Sequence, residues 1–141
     1  MGTRREAREL ALQALYQLDL TGEEDVGVGA HFGGSPEAIA FARELIDGVR
    51  SERDRIAELI TAASQHWRLP RLSRVDLSLL RLSTYELLAC PDIPASVTID
   101  EAIEIARRFG SEDSAAFVNG VLDAIATSVG AKDKEKAERP E

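Results

Sequence analysis

The chain has 141 residues, enough for one domain or for two small subdomains sharing a core. Apolar residues make up 44% and charged residues 30%, the balance of a soluble globular protein, and no apolar run nears the roughly 20 residues that span a bilayer. A net charge of -8 gives no overall attraction to nucleic acid, so any phosphate contact has to come from a local basic patch.

The first predicted helix opens at Thr3 and Glu6, which have capping-box spacing. Ala7, Leu10, Ala11, Ala14, Leu15 and Leu18 follow at intervals of three and four as one buried face. Arg4, Arg5 and Arg8 lie off that stripe. Cations at a helix start oppose its dipole, so three of them there point to an external use of the charge. The plainer alternative is a solvated face, with Glu6 and Glu9 interleaved. The start of the chain lacks the continuous apolar segment of a signal peptide, so a cytoplasmic location is expected.

Residues 21–34 are glycine-rich and aperiodic, hence a loop. His31 within it and the distant His66 make no metal pair, and the lone Cys90 excludes an internal disulfide and a zinc site. Ser35-Pro36-Glu37 is a strong helix start, continued by Ile39, Ala42, Leu45, Ile46 and Val49. Gly48 marks a bend or a close contact. Ser51 with Asp54 suggests a further cap, followed by Ile56, Leu59, Ile60 and Ala63. The connector Trp67-Arg-Leu-Pro70 breaks the helical pattern, with Trp67 expected to plug the joint between halves.

Ser73 and Asp76 start a helix whose apolar residues, from Val75 to Leu88, cover most of its circumference. Such a helix is a buried one, so it is expected at the centre. After Cys90-Pro-Asp-Ile-Pro94, Thr98 and Glu101 have capping-box spacing, and Gly110 stands where a left-handed residue usually ends a helix. Ser111–Ser114 offers new caps for a last stripe of Phe117, Val118, Val121, Leu122 and Ile125. No strand pattern occurs. The expected fold is all-α, two small helical bundles packed around a central apolar helix. The first bundle covers residues 1–66 and the second 67–129, with a mobile charged tail over 130–141.

No P-loop, dinucleotide loop, metal motif or nucleophile elbow is present, so no catalytic residue, metal or cofactor is expected and the chain does not read as an enzyme. A binding module fits better. Arg4, Arg5 and Arg8 suit the phosphates of single-stranded RNA, and Phe117 either stacks on a base or belongs to the core. A purely protein-binding helical scaffold is the alternative.

Three runs sharpen this reading: Val97-Thr-Ile-Asp-Glu-Ala-Ile-Glu-Ile-Ala, Phe109-Gly-Ser-Glu-Asp-Ser, and Phe117-Val-Asn-Gly-Val-Leu-Asp123. With Arg8-Glu-Leu-Ala-Leu-Gln-Ala-Leu-Tyr16 and Leu79-Leu-Arg-Leu-Ser-Thr-Tyr-Glu-Leu-Leu88 upstream, they resemble the NusB family of bacterial transcription antitermination factors. The resemblance implies binding to single-stranded boxA RNA of nascent ribosomal RNA transcripts, together with the ribosomal protein NusE. Other elongation factors and RNA polymerase would join the complex. It also implies RNA-proximal roles for Arg4, Arg5, Arg8, Asp113, Phe117 and Asn119, and a NusE-facing role for Tyr16 and Asp76. A homodimer is left open. The NusB-like domain of ribosomal RNA cytosine methyltransferases is a second match, disfavoured because no methyl-donor-binding domain follows.

Overall fold

The computed structural model describes residues 2–21, 34–65 and 73–131. They form six helices: α1 (Gly2–Thr21), α2 (Pro36–Ser51), α3 (Arg53–Ala63), α4 (Arg74–Ala89), α5 (Ala95–Phe109) and α6 (Ser114–Ser128). The all-α expectation holds among the described residues. Trp67, His31, His66, Arg68, Arg71, the glycine-rich loop and the charged tail lie outside them.

α4 packs against each of the other five helices, as its all-round apolar sequence demands. Leu79, Leu80 and Leu82 are fully buried, and so are the polar Ser78, Thr84 and Glu86 on the same helix. α1 packs most heavily on α2 and α5 on α6, while α3 reaches across to α6.

The helix starts divide into those that a side chain caps and those that packing imposes. Ser35 Oγ accepts from the Ala38 N–H at 3.2 Å, ahead of Pro36 at the first helical position. Ser73 Oγ likewise accepts from the Asp76 N–H at 3.0 Å. The other caps expected from spacing do not form. α1 already runs from Gly2, and Glu6 Oε1 instead accepts from the Ser35 N–H at 3.0 Å, tying α1 to the start of α2. α3 starts after Glu52 with no side-chain cap. α5 begins at Ala95, so Thr98 and Glu101 stand inside the helix and turn to tertiary partners.

Two glycines hold contacts that any side chain would break. A Cβ on Gly48 would lie 2.0 Å from Tyr85 Cζ, so the α4 ring sits directly on the α2 backbone. Gly110 is not left-handed, contrary to expectation: its φ is -97° and ψ -173°, an extended exit from α5. Here the glycine is required by space, since a Cβ would lie 2.5 Å from Ser114 Oγ and 2.8 Å from the Ala106 carbonyl oxygen.

Candidate nucleic-acid and partner interface

α1 lies antiparallel to α4 and parallel to α5, and its charged residues meet both. Three arginines at its start find three carboxylates at graded depth. Arg4 donates from Nη2 to Asp92 Oδ2 at 3.1 Å, at the surface, and its guanidinium also lies 4.8 Å from the Phe41 ring centre. Arg5 donates from Nε and Nη2 to the two oxygens of Glu101, both at 2.9 Å, a fork-to-fork pair with half of the arginine side chain exposed.

Arg8 is different. It donates from Nε at 2.9 Å and from Nη2 at 2.9 Å to Glu86, and its side chain is 4% exposed against 1% for the glutamate. The Thr98 hydroxyl donates to Glu86 Oε1 at 3.2 Å, which completes a buried knot joining α1, α4 and α5. The sequence reading put Arg8 off the apolar stripe; the structure turns it inward. The physical reason is Glu86, an acid inside a helix apolar on every side, which needs a buried counter-ion. Arg8 also sits three and seven residues before Ala11 and Leu15, at the edge of that stripe.

Glu101 is held below the ordinary carboxylate value of 4.5, first by its hydrogen bonds from Arg5, with the charges of Arg5 and Arg8 adding to them against partial burial. Glu101 in turn raises Arg5. Folding thus lowers the carboxylate's pKa. The pair's contribution is complete above the unfolded value of 4.5 and is lost as pH falls through the lower, folded value. The stability advantage of wild type over Glu101→Gln should therefore be flat around neutral pH and disappear in acid below that window. Urea unfolding at a series of pH values checks this; an advantage that persists unchanged into strong acid would contradict it.

The remaining predicted residues fall into separate groups. Asp113 and Asn119 are exposed on α6, and among the described residues no hydrogen bond or ion pair joins either to the three arginines. Asp113 occupies the N-cap position of α6 without a capping bond; Ser114 Oγ accepts the Ser111 N–H at 2.9 Å instead. Phe117 is 5% exposed and packs in the core, so its ring face is not presented to solvent. Its apolar stripe, not its aromatic character, decides its place. Asp76 is buried in the first turn of α4, with Oδ1 lacking a partner among the described residues.

Tyr16, half-buried, walls a groove of about 260 Å³ with Leu12, Gln13, Val75 and Phe109. Phe109 is 42% exposed there. Arg108 lies 5.1 Å from the Phe109 ring centre and pairs with Glu9 of α1. On α4, Arg74 donates to the Asp19 carbonyl oxygen at 3.2 Å and Arg81 lies 3.7 Å from Asp19 Oδ1, so both tie down the end of α1. Sequence reasoning missed Glu86, Asp92, Glu101 and Phe109; pairing partners 78, 88 and 96 residues apart leave no local signal.

No described helix is long and apolar enough to cross a membrane, and no described cluster of three His, Cys, Asp or Glu suits a metal. The described residues thus form an all-helical body with three paired arginines at the start of α1 and an apolar groove along the same helix. The chain belongs to the NusB family, whose model matches residues 5–127. It is 49% identical over 137 residues to the transcription antitermination protein NusB of Myxococcus xanthus, covering 92% of this chain and 98% of that one. Its structure is similar to that of T. maritima NusB, with a TM-score of 0.84 and 42% identity over 94% of this chain and 96% of that one. It is also similar to a chain from the crystal structure of the antitermination factors NusB and NusE in complex with dsRNA, with a TM-score of 0.79 and 26% identity over 91% and 98%.

Proposed function

We propose that this protein is a non-enzymatic transcription antitermination factor of the cytoplasm that binds RNA together with NusE. Its target is the boxA element of nascent ribosomal RNA transcripts, and the assembled complex acts on RNA polymerase with other elongation factors. The observation that carries the reading is the presentation of Arg4 and Arg5, half-exposed on the first turn of α1 and held in place by Asp92 and Glu101. Phosphate contacts by such guanidinium groups fix position and supply salt-dependent affinity, while base contacts supply sequence preference. Asp113 and Asn119, exposed on α6, are the further RNA-proximal positions in this reading. Arg8 and Phe117 act beneath the surface: the first anchors α1, and the second packs α6.

The apolar groove at Tyr16 receives NusE. The net charge of -8 favours encounter with a basic ribosomal protein. Asp76 supports this face from the first turn of α4.

The test is fluorescence anisotropy with a boxA-type single strand, a scrambled strand and a duplex competitor, with and without NusE, across a salt series. Binding should favour boxA, tighten with NusE and weaken with salt. In Arg4→Ala/Arg5→Ala the slope of log affinity against log salt should fall by about 1.4, roughly 0.7 for each lost single-strand phosphate contact. Absence of any RNA preference in the presence of bound NusE would overturn the reading and leave a protein scaffold.

A further inference from the structure

The burial of Phe117 leaves the RNA-binding reading without its stacking platform, and the surface beside the arginines offers a different one. A hollow of about 470 Å³ lies between the first turns of α1 and α5, bounded by Arg4, Asp92, Ile93, Pro94, Val97 and Glu101. Val97 is 42% exposed; with Phe109 it is one of two large apolar side chains so exposed among the described residues. Phe109 belongs to the groove at Tyr16, so Val97 alone faces the arginine end.

The charge pattern of the hollow selects its occupant. Both exposed arginines are neutralised in place, Arg4 by Asp92 at 3.1 Å and Arg5 by Glu101 at 2.9 Å. A phosphate centred in the hollow would meet two carboxylates and be repelled. It is better placed at the outer edges of the guanidinium groups, where Arg5 keeps Nη1 outside its pair with Glu101. A nucleobase suits the interior: it is neutral, its faces are apolar and its rim is polar. Val97 and the half-buried Pro94 form the apolar side, with Ile93 buried, and the guanidinium face of Arg4 that does not lie on Phe41 offers a stacking plane. The carboxylates of Asp92 and Glu101 only accept hydrogen bonds, so they favour a base that presents an exocyclic amino group over one that does not.

We infer that the hollow at Val97 is a nucleobase subsite, which takes one amino-bearing base of the bound single strand while Arg4 and Arg5 hold the flanking phosphates. The inference rests on the RNA-binding reading above and assigns the base contact that reading lacks.

The experiment uses the full chain with NusE and boxA-type strands in which one nucleotide at a time is abasic, or has cytosine or adenine replaced by uracil. Wild type, Val97→Ala and Glu101→Gln are compared by anisotropy. At one position the abasic change should weaken wild-type binding about fivefold, as expected from the apolar area a base would cover. At that same position the change should matter little in Val97→Ala, whose salt slope should equal wild type because its phosphate contacts remain. Glu101→Gln should lose the preference against uracil there, since its amide can donate as well as accept. Val97 is exposed in the first turn of α5, so the alanine variant should melt like wild type, which separates lost binding from lost fold. If wild type binds with its salt dependence but no position couples to Val97, the subsite is wrong and the RNA reading stands. If wild type with NusE binds no RNA, both fall.

Discussion

Arg8→Ala should unfold the protein at a much lower urea concentration than wild type, a loss of about 3–5 kcal/mol. The alanine strands the Glu86 carboxylate, 1% exposed, with the Thr98 hydroxyl as its remaining partner among the described residues. Most of the cost comes from an uncompensated buried charge. The double change Arg8→Met/Glu86→Leu should therefore recover most of the loss, because two well-packed apolar side chains need no solvation. Circular dichroism followed through a urea titration measures both. Arg5→Ala, whose pair is half-exposed, should shift the midpoint far less. The contrast separates the arginine that holds the fold together from those that face outward. An Arg8→Ala protein as stable as wild type but unable to bind RNA would reverse that assignment.

Gly48→Ala is the second change with a large expected effect. In an exposed helix the substitution would stabilise by roughly 1 kcal/mol, since glycine is the poorer helix former. Here the new methyl would lie 2.0 Å from Tyr85 Cζ and 2.2 Å from Cε1, so the ring must move or α2 must retreat from α4. Overpacking of this kind costs about 1–3 kcal/mol, and the net sign should be destabilising. Gly48→Ala/Tyr85→Leu should restore part of the loss by making room. Thermal melts of the two single variants and the double give the coupling between positions 48 and 85 directly. Simple additivity would show that the contact is slack.

The sequence made the helices legible because burial in this fold follows helical periodicity closely. Leu79, Leu80 and Leu82 could not all be buried unless α4 were surrounded, and it is. Ser35-Pro36 and Ser73 marked true starts because their caps are local chemistry. Spacing alone misled at Thr3–Glu6 and Thr98–Glu101. Both pairs fit a capping box, yet three of the four side chains serve distant partners: Glu6 serves Ser35, Thr98 serves Glu86, and Glu101 serves Arg5. The arginines at the start of α1 were visible from sequence, but their different depths were not. Depth depends on which carboxylate the fold brings opposite, and the sequence reading singled out none of Glu86, Asp92 or Glu101 as a partner. Phe117 followed the stripe, whereas Phe109 closes α5 and lines the groove against α1.

One rigid rod carries both exposed ends of this surface. Arg5 and Tyr16 are separated along α1 by eleven residues, about 16 Å at 1.5 Å per residue, without a break in the helix. The helix is paired on two sides, with Glu86 of α4 and with Glu101 and Arg108 of α5. α1 thus works as a ruler. Whatever occupies its first turn is held at a fixed distance and angle from whatever occupies its middle. Inserting a single residue between Arg8 and Tyr16 would leave both ends chemically intact, yet it would turn one against the other by roughly 100°. Two ligands that each still bound would then no longer fit together.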